Sequence, residues 1–214
     1  MKGNRPGDVK DIGLAEAIES IIEFLDEHEL QDIVLVGHSY GGMIITAVAD
    51  RLPHRVRRLV YWNAFVPNDG ESVYDMLTPQ HIALFSASAA ERSDGSVMLP
   101  FQVWRETLIN DVDLETAQCA YKLLNPHPLK TLTEKISLKI NPAGMSIGES
   151  YITVPKISHC LINIPGTHDC PRNLDCSGSY RFQAVTSYAS QTRVGWRGRS
   201  STQAGTKCHL RALV

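Results

Sequence analysis

The sequence predicts an α/β fold built on a parallel, doubly wound sheet, and three observations predict it. Asp32 to Val36 is a short apolar run rich in β-branched residues, as a buried parallel strand requires. A glycine-rich turn, G-H-S-Y-G-G at 37–42, follows, and then Met43 to Leu52 carries an apolar, alanine-containing helical pattern that stops before Pro53. On either side lie an amphipathic helical pattern and a second apolar run, so strand and helix signals alternate along the chain.

The earlier helix is read over Asp11 to Glu29. Leu14, Ala17, Ile18, Ile21, Ile22 and Leu25 recur at helical spacing, with acidic residues between them that form a solvated face. Arg55 to Val66 begins basic and becomes the second apolar strand, and Pro67-Asn68-Asp69-Gly70 reads as a turn. Residues 71–135 are mixed. Helical patches stand around Tyr74–Phe85 and Leu114–Leu124, a polar stretch runs Ser86–Ser96, and prolines fall at 79, 100, 126 and 128. Gly148 to Ile152 is a third short strand.

The chain has 214 residues, of which 43% are apolar, enough for one domain with a sizeable core. No run of 18 apolar residues exists and the N-terminus is polar, so neither a membrane span nor a signal peptide is predicted, and the expected compartment is the cytoplasm. The net charge of −2 hides a division: residues 1–152 carry 13 Lys+Arg against 21 Asp+Glu, whereas residues 153–214 carry 8 against 2. Four of the five cysteines also lie in that last part, whose end is rich in Ser, Thr, Gly and Arg and poor in aliphatic residues. By composition it is an irregular basic tail.

The chemistry centres on Ser39, the middle of a G-x-S-x-G match. Strand, tight turn and helix are the context of a nucleophile elbow, whose strained turn lifts the serine Oγ above the sheet. Gly37 and Gly41 are expected where a Cβ would clash with the neighbouring strand and helix. The Tyr40 backbone N–H, at the start of the helix, points at the oxygen that becomes negative in acyl transfer.

From Asp11 to Ile152 the chain resembles the α/β-hydrolase superfamily, in the branch of plant methylesterases, hydroxynitrile lyases and pyrethroid-hydrolase-like carboxylesterases. The resemblance is carried by V-L-V-G-H-S-Y-G-G-M at 34–43, R-R-L-V-Y-W-N-A-F-V-P at 57–67 followed by D-G-E-S, and S-Y-I at 150–152. It implies Ser39 as nucleophile, the Tyr40 N–H as one oxyanion donor and hydrolysis of a small, fairly apolar carboxylic ester through an acyl-enzyme. It implies no metal and no organic cofactor. The insertion of about 71–135, after the strand that follows the elbow, is expected to serve as a cap, with Phe85, Met98, Phe101, Trp104 and Tyr121 as pocket lining or, more simply, core. Lyase chemistry shares the same scaffold, and a non-catalytic remnant is the other alternative.

Two parts of the family pattern are missing from this sequence. The opening strands with an H-G-x-W-like motif, whose loop gives a second oxyanion N–H, are absent, which leaves the edge of the elbow strand exposed. After S-Y-I the family places an acid in a C-T-E-D-like motif and, about thirty residues later, a histidine in G-S-H-E or similar. Here T-V-P-K-I-S follows instead. Read one base out of register from Thr153, with first bases chosen to favour the match, permitted codons give C-T-E-D, an apolar strand L-F-R-L-V, G-S-H-E, a final helical pattern and a stop. Residues 153–214 are therefore expected to be an out-of-frame version of the family's ending.

A serine nucleophile needs a base, and eight histidines are present. His38 lies inside the elbow with its side chain directed away from Ser39. His28 and His54 sit in polar helix-end surroundings. His81 and His127 belong to the cap and are candidates for substrate contact. His168, in L-I-N-I-P-G-T-H-D, follows the elbow in the right chain order but only sixteen residues after Ile152. The tail's His159, Cys160, His168, Cys170, Cys176, Cys208 and His209 lack the paired spacing of a small zinc site. Arg181, Arg193, Arg197, Arg199 and Arg211, with Tyr188 and Trp196, come with no nucleic-acid-binding motif, so neither nucleic acid nor membrane is an expected partner.

Overall fold

The computed structural model describes residues 11–153 together with the backbone of 183–185. His168, the tail cysteines and arginines, and the segment expected to be out of frame lie outside the described residues, apart from that short strand.

Helix α1 (Leu14–Glu27) buries Leu14, Ile18 and Leu25, the face its spacing predicts. Strand β1 (Ile33–Ser39) is followed by α2 (Gly41–Arg51), and β2 (Val56–Ala64) returns parallel to β1. The apolar run ends at Val36, but β1 continues through Gly37 and His38 to Ser39. The pairing extends to His38 opposite Trp62 and, after an irregularity, Ser39 opposite Ala64. The third strand, β5 (Gly148–Thr153), pairs parallel with β2, with Tyr61 opposite Tyr151. The sheet order is β1-β2-β5-β6, and β6 (Gln183–Val185) adds antiparallel to β5. The parallel sheet expected from the two apolar runs and the third short strand is thus β1, β2 and β5, with a short antiparallel strand beyond them, a common arrangement at the end of a parallel sheet.

Period-two burial sorts the two faces. Leu35, Leu59 and Tyr61 point into the core under α1 and α2, where Met43, Val48 and Leu25 are also fully enclosed. Each such side chain contributes about 1.5–3 kcal/mol of burial. On the opposite face Val34, Val36 and Val60 are half-buried, and Trp62 remains 44% exposed.

Between β2 and β5 the chain makes α3 (Val73–Met76), α4 (Pro79–Ala90), β3 (Ser96–Val97), α5 (Phe101–Leu108), α6 (Leu114–Tyr121), β4 (His127–Pro128) and α7 (Lys130–Thr133). The single helical patch read over Tyr74–Phe85 is two helices, because Pro79 supplies no N–H and opens α4 from its first turn. The first part of the polar stretch, through Ala90, continues α4. The antiparallel pair β3–β4 is only two residues on each side, too short to leave a periodic signal. Segment 136–140 ties this region back to the sheet layer. Ile136 N–H donates to the Glu71 carbonyl, Leu138 N–H to Asp69 Oδ1, and Lys139 and Ile140 N–H to the Asp50 carboxylate at the end of α2. No described helix is long and apolar enough to cross a membrane.

Candidate active site

The turn between β1 and α2 carries the site. Ser39 has φ +51°, in the left-handed region that a non-glycine residue enters only when its surroundings impose it. Two glycines allow the turn. A Cβ on Gly37 would lie 2.7 Å from the Gly41 carbonyl oxygen and 2.9 Å from Ile45 Cδ1. A Cβ on Gly42 would lie 2.0 Å from the Phe65 carbonyl oxygen and 3.0 Å from Ala64 Cβ. Gly41 does not have the role expected of it. Among the described residues nothing stands within 4 Å of the place of its Cβ, because that position faces away from β2 while Gly42 is pressed against the strand's end.

Several hydrogen bonds hold the turn. Phe65 N–H donates to the Ser39 carbonyl at 3.0 Å, joining the end of β2 to the elbow. Behind it, Thr46 Oγ1 donates back to the Gly42 carbonyl at 2.7 Å and lies 2.9 Å from the Tyr61 hydroxyl. Burial pushes the Tyr61 hydroxyl pKa up, so Tyr61 stays protonated and donates to Thr46, whose own proton goes to Gly42. The Tyr151 hydroxyl donates to the Ala64 carbonyl at 2.9 Å. Tyr40 stands at the N-terminus of α2 in αR conformation. Backbone N–H groups there have no intrahelical acceptor and lie at the positive end of the helix dipole.

Ser39 and Tyr40 open on a cavity of about 200 Å³, whose other walls are Phe65, Val73, Leu77, Phe85, Val97, His127 and Leu132. Of the aromatic residues weighed for the pocket, Phe85 lines it. Phe101, Trp104 and Tyr121 instead pack on one another, with Trp104 and Tyr121 centroids 5.3 Å apart, in a second cluster with Ala89, Val97, Leu99 and Ala117. The Tyr121 hydroxyl donates to the Leu99 carbonyl at 2.6 Å, and Met98 N–H donates to Ser88 Oγ at 3.0 Å, both within that second layer. Val73, Leu77 and Leu132 were not singled out in the sequence, since an isolated aliphatic residue carries no sign of which cavity it faces.

The histidines separate clearly. His28 caps the end of α1 through Nδ1 to the Phe24 carbonyl and stacks on the Phe24 ring. His54 is exposed, and His81 Nδ1 lies 2.7 Å from Thr78 Oγ1 at the start of α4. His38 sits beside Trp62, centroids 5.2 Å apart, and does not line the cavity. His127 does, with its ring edge-on to Tyr40 at 5.3 Å and Nε2 2.6 Å from Thr131 Oγ1. Burial lowers the His127 pKa, so the imidazole is neutral at neutral pH. The Tyr40 hydroxyl is buried beside Thr131; burial raises its pKa, with the Thr131 side chain acting the other way. Among the described residues no group of three or more His, Cys, Asp or Glu side chains is arranged to hold a metal ion.

Residues 2–96 match the family described as the alpha/beta hydrolase fold. A carbendazim hydrolyzing esterase of Nocardioides is 39% identical over 94 residues, covering 40% of this chain and 39% of the esterase. The alpha/beta hydrolase nvfD of Aspergillus novofumigatus is 34% identical over 157 residues, covering 66% of this chain and 60% of its own length. Among solved structures, an extracellular alpha/beta-hydrolase from a Paenibacillus species superposes with a TM-score of 0.66 at 30% identity, covering 71% of this chain and 62% of that one. It is described as sharing structural and functional homology with tobacco salicylic acid binding protein 2. The methylesterase MES16 of Arabidopsis, at 19% identity and a TM-score of 0.52, shares the fold.

The chain therefore has the fold of the α/β-hydrolase class of proteins. Within that class its similarities run to the esterase-like branch. The chain spans 39% to 60% of the length of these two curated relatives.

Proposed function

We propose that the chain is a serine hydrolase of small, apolar carboxylic esters, working through an acyl-enzyme at Ser39 and with reduced turnover. The observation that carries the reading is the elbow: Ser39, at φ +51° between a parallel strand and a helix, opens on an apolar cavity. In this reading Ser39 Oγ attacks the ester carbonyl. The Tyr40 N–H at the head of α2 stabilises the oxyanion, and the acyl or alcohol part occupies the space between Phe65, Phe85 and Leu132. Similarity to an esterase that hydrolyses carbendazim supports the reaction class.

Reduced turnover follows from the base. His127 lines the cavity, but its Nε2 is engaged by Thr131. The sequence after Ile152, T-V-P-K-I-S, supplies no acid where the family has one. Removing the base of a serine triad costs on the order of 10⁶ in kcat. The same reading makes residues 153–214 the family's ending translated out of frame. Sequencing codons 153–206 tests this, and a coding strand that does not give C-T-E-D and G-S-H-E in the alternative frame rules it out.

Release of p-nitrophenol from p-nitrophenyl acetate by the full chain, compared with Ser39→Ala, tests the hydrolase reading. Slow release above background that disappears in Ser39→Ala is expected. Equal release by both proteins would leave a non-catalytic remnant of the fold as the better account.

A further inference from the structure

We propose that His127 determines specificity in the cavity beside Ser39: its Nδ1 accepts a hydrogen bond from a hydroxyl or N–H group of the bound molecule. This deepens the hydrolase reading and rests on it for the cavity's being the substrate site.

The assignment follows from proton counting around Thr131. Thr131 Oγ1 lies 2.6 Å from His127 Nε2 and 2.7 Å from the Pro128 carbonyl oxygen. The carbonyl only accepts, and the hydroxyl has one proton. Both contacts are hydrogen bonds only if Thr131 donates to Pro128 and His127 Nε2–H donates to Thr131. The neutral imidazole is then the Nε2–H tautomer, and Nδ1 carries the lone pair. Thr131 is 2% exposed, so water does not compete for this arrangement. The Tyr40 ring packs against the imidazole with 75° between their planes, which restricts the ring's tilt.

The rest of the wall makes this atom consequential. Apart from Ser39 and the Tyr40 hydroxyl, which is turned to Thr131, the side chains around the cavity are aliphatic or phenyl. A ligand donor lodged there finds Nδ1 as its acceptor. Without such a donor on the ligand, Nδ1 loses its hydration on binding and gains nothing in exchange, which discriminates against the donor-less analogue. The favoured substrate class is an ester that carries a hydroxyl or N–H group on the part held between Tyr40 and Leu132. Thr131 is the positioning residue that sets the tautomer.

The test measures binding rather than turnover. The full chain, labelled with ¹⁵N at histidine, is titrated with 2-phenylethanol and with benzyl methyl ether, isomers of equal chain length that differ in the donor. The wild type is expected to prefer the alcohol, and that preference should fall roughly tenfold in His127→Phe, the scale of one hydrogen bond. His127→Asn, whose side-chain oxygen reaches about where Nδ1 stands, should restore part of it. Ser39→Ala should keep it, which separates His127 from the serine as the partner. The wild-type His127 Nδ1 resonance should move with the alcohol and not with the ether, a readout that stands even if His127→Phe does not fold. A Phe variant that discriminates like the wild type, an Nδ1 resonance that responds equally to both ligands, or failure of both ligands to bind overturns the proposal. Discrimination by His127 without Ser39-dependent ester turnover would instead sink the hydrolase reading alone.

Discussion

Gly41 and Gly42 are adjacent, and the structure gives them opposite tolerances. The Gly42 Cα is pressed against the Phe65 carbonyl, and a methyl there would lie 2.0 Å from a backbone oxygen that β2 holds in place. Gly42→Ala is expected to lower stability by about 3 kcal/mol, the upper range for overpacking, as read by urea unfolding. Gly41→Ala meets open space among the described residues and is expected to stay within about 0.5 kcal/mol of the wild type. The reverse ranking would mean that the elbow is not packed on the end of β2. The motif alone does not separate these glycines, because G-x-S-x-G marks a tight turn without saying which Cα meets which neighbour. Ser39 and Tyr40 were legible, since strand, turn and helix sit together in sequence. His127 was legible only as a candidate, because the groups that define it, Tyr40 and Thr131, come from two different elements.

At the scale of elements, α1 shows how distant residues complete a helix. Its N-terminal Leu14 N–H donates to Glu134 Oε2 at 2.6 Å, and Gly13 N–H donates to Glu16 Oε2 at 2.7 Å. Glu134 follows α7, 120 residues further along, so the carboxylate at the positive end of α1 also joins the segment between β2 and β5 to the sheet layer. Glu134→Ala is expected to cost about 1 kcal/mol in stability, while Glu134→Gln, which keeps an acceptor but not the charge, costs roughly half of that. Thermal unfolding of both variants checks the order. The periodicity of α1, α2 and β2 was readable because each buries one face. The bounds of α3 and β3 were not, because elements of four and two residues carry no period. Ion pairs such as Arg51 with Glu19 and Arg55 with Asp26 decorate the exposed side of the α1–α2 layer and contribute little.

Across the whole molecule, Glu149 couples the fold to pH. It stands opposite Leu59 in the β2–β5 register, and its Oε1 is buried without a hydrogen-bond partner among the described residues. Burial pushes its pKa up to about 7. The folded chain therefore holds a proton that the unfolded chain has released between pH 4.5 and about 7. The folded state binds more protons in that window, so stability is highest at its acid end and falls as pH rises through it. Glu149→Gln is expected to flatten this dependence and, after discounting for solvent screening, to stabilise the chain at pH 8 by about 1 kcal/mol. A variant with the same pH profile as the wild type would contradict the assignment. The sheet's course was legible from two apolar runs and the short Gly148–Ile152 strand, but its mixed edge was not, because β6 is three residues long and lies 30 residues after β5 in a stretch without periodicity.

The account stands on Ser39 as the attacking group, and trapping the acyl-enzyme tests it most directly. The full chain is mixed with p-nitrophenyl acetate, quenched in acid during the reaction and digested, and the peptides are read by mass spectrometry. An acetyl group on Ser39, absent after the same treatment of Ser39→Ala, is the predicted result. Acetylation confined to other residues, with ester hydrolysis unchanged in Ser39→Ala, would contradict it.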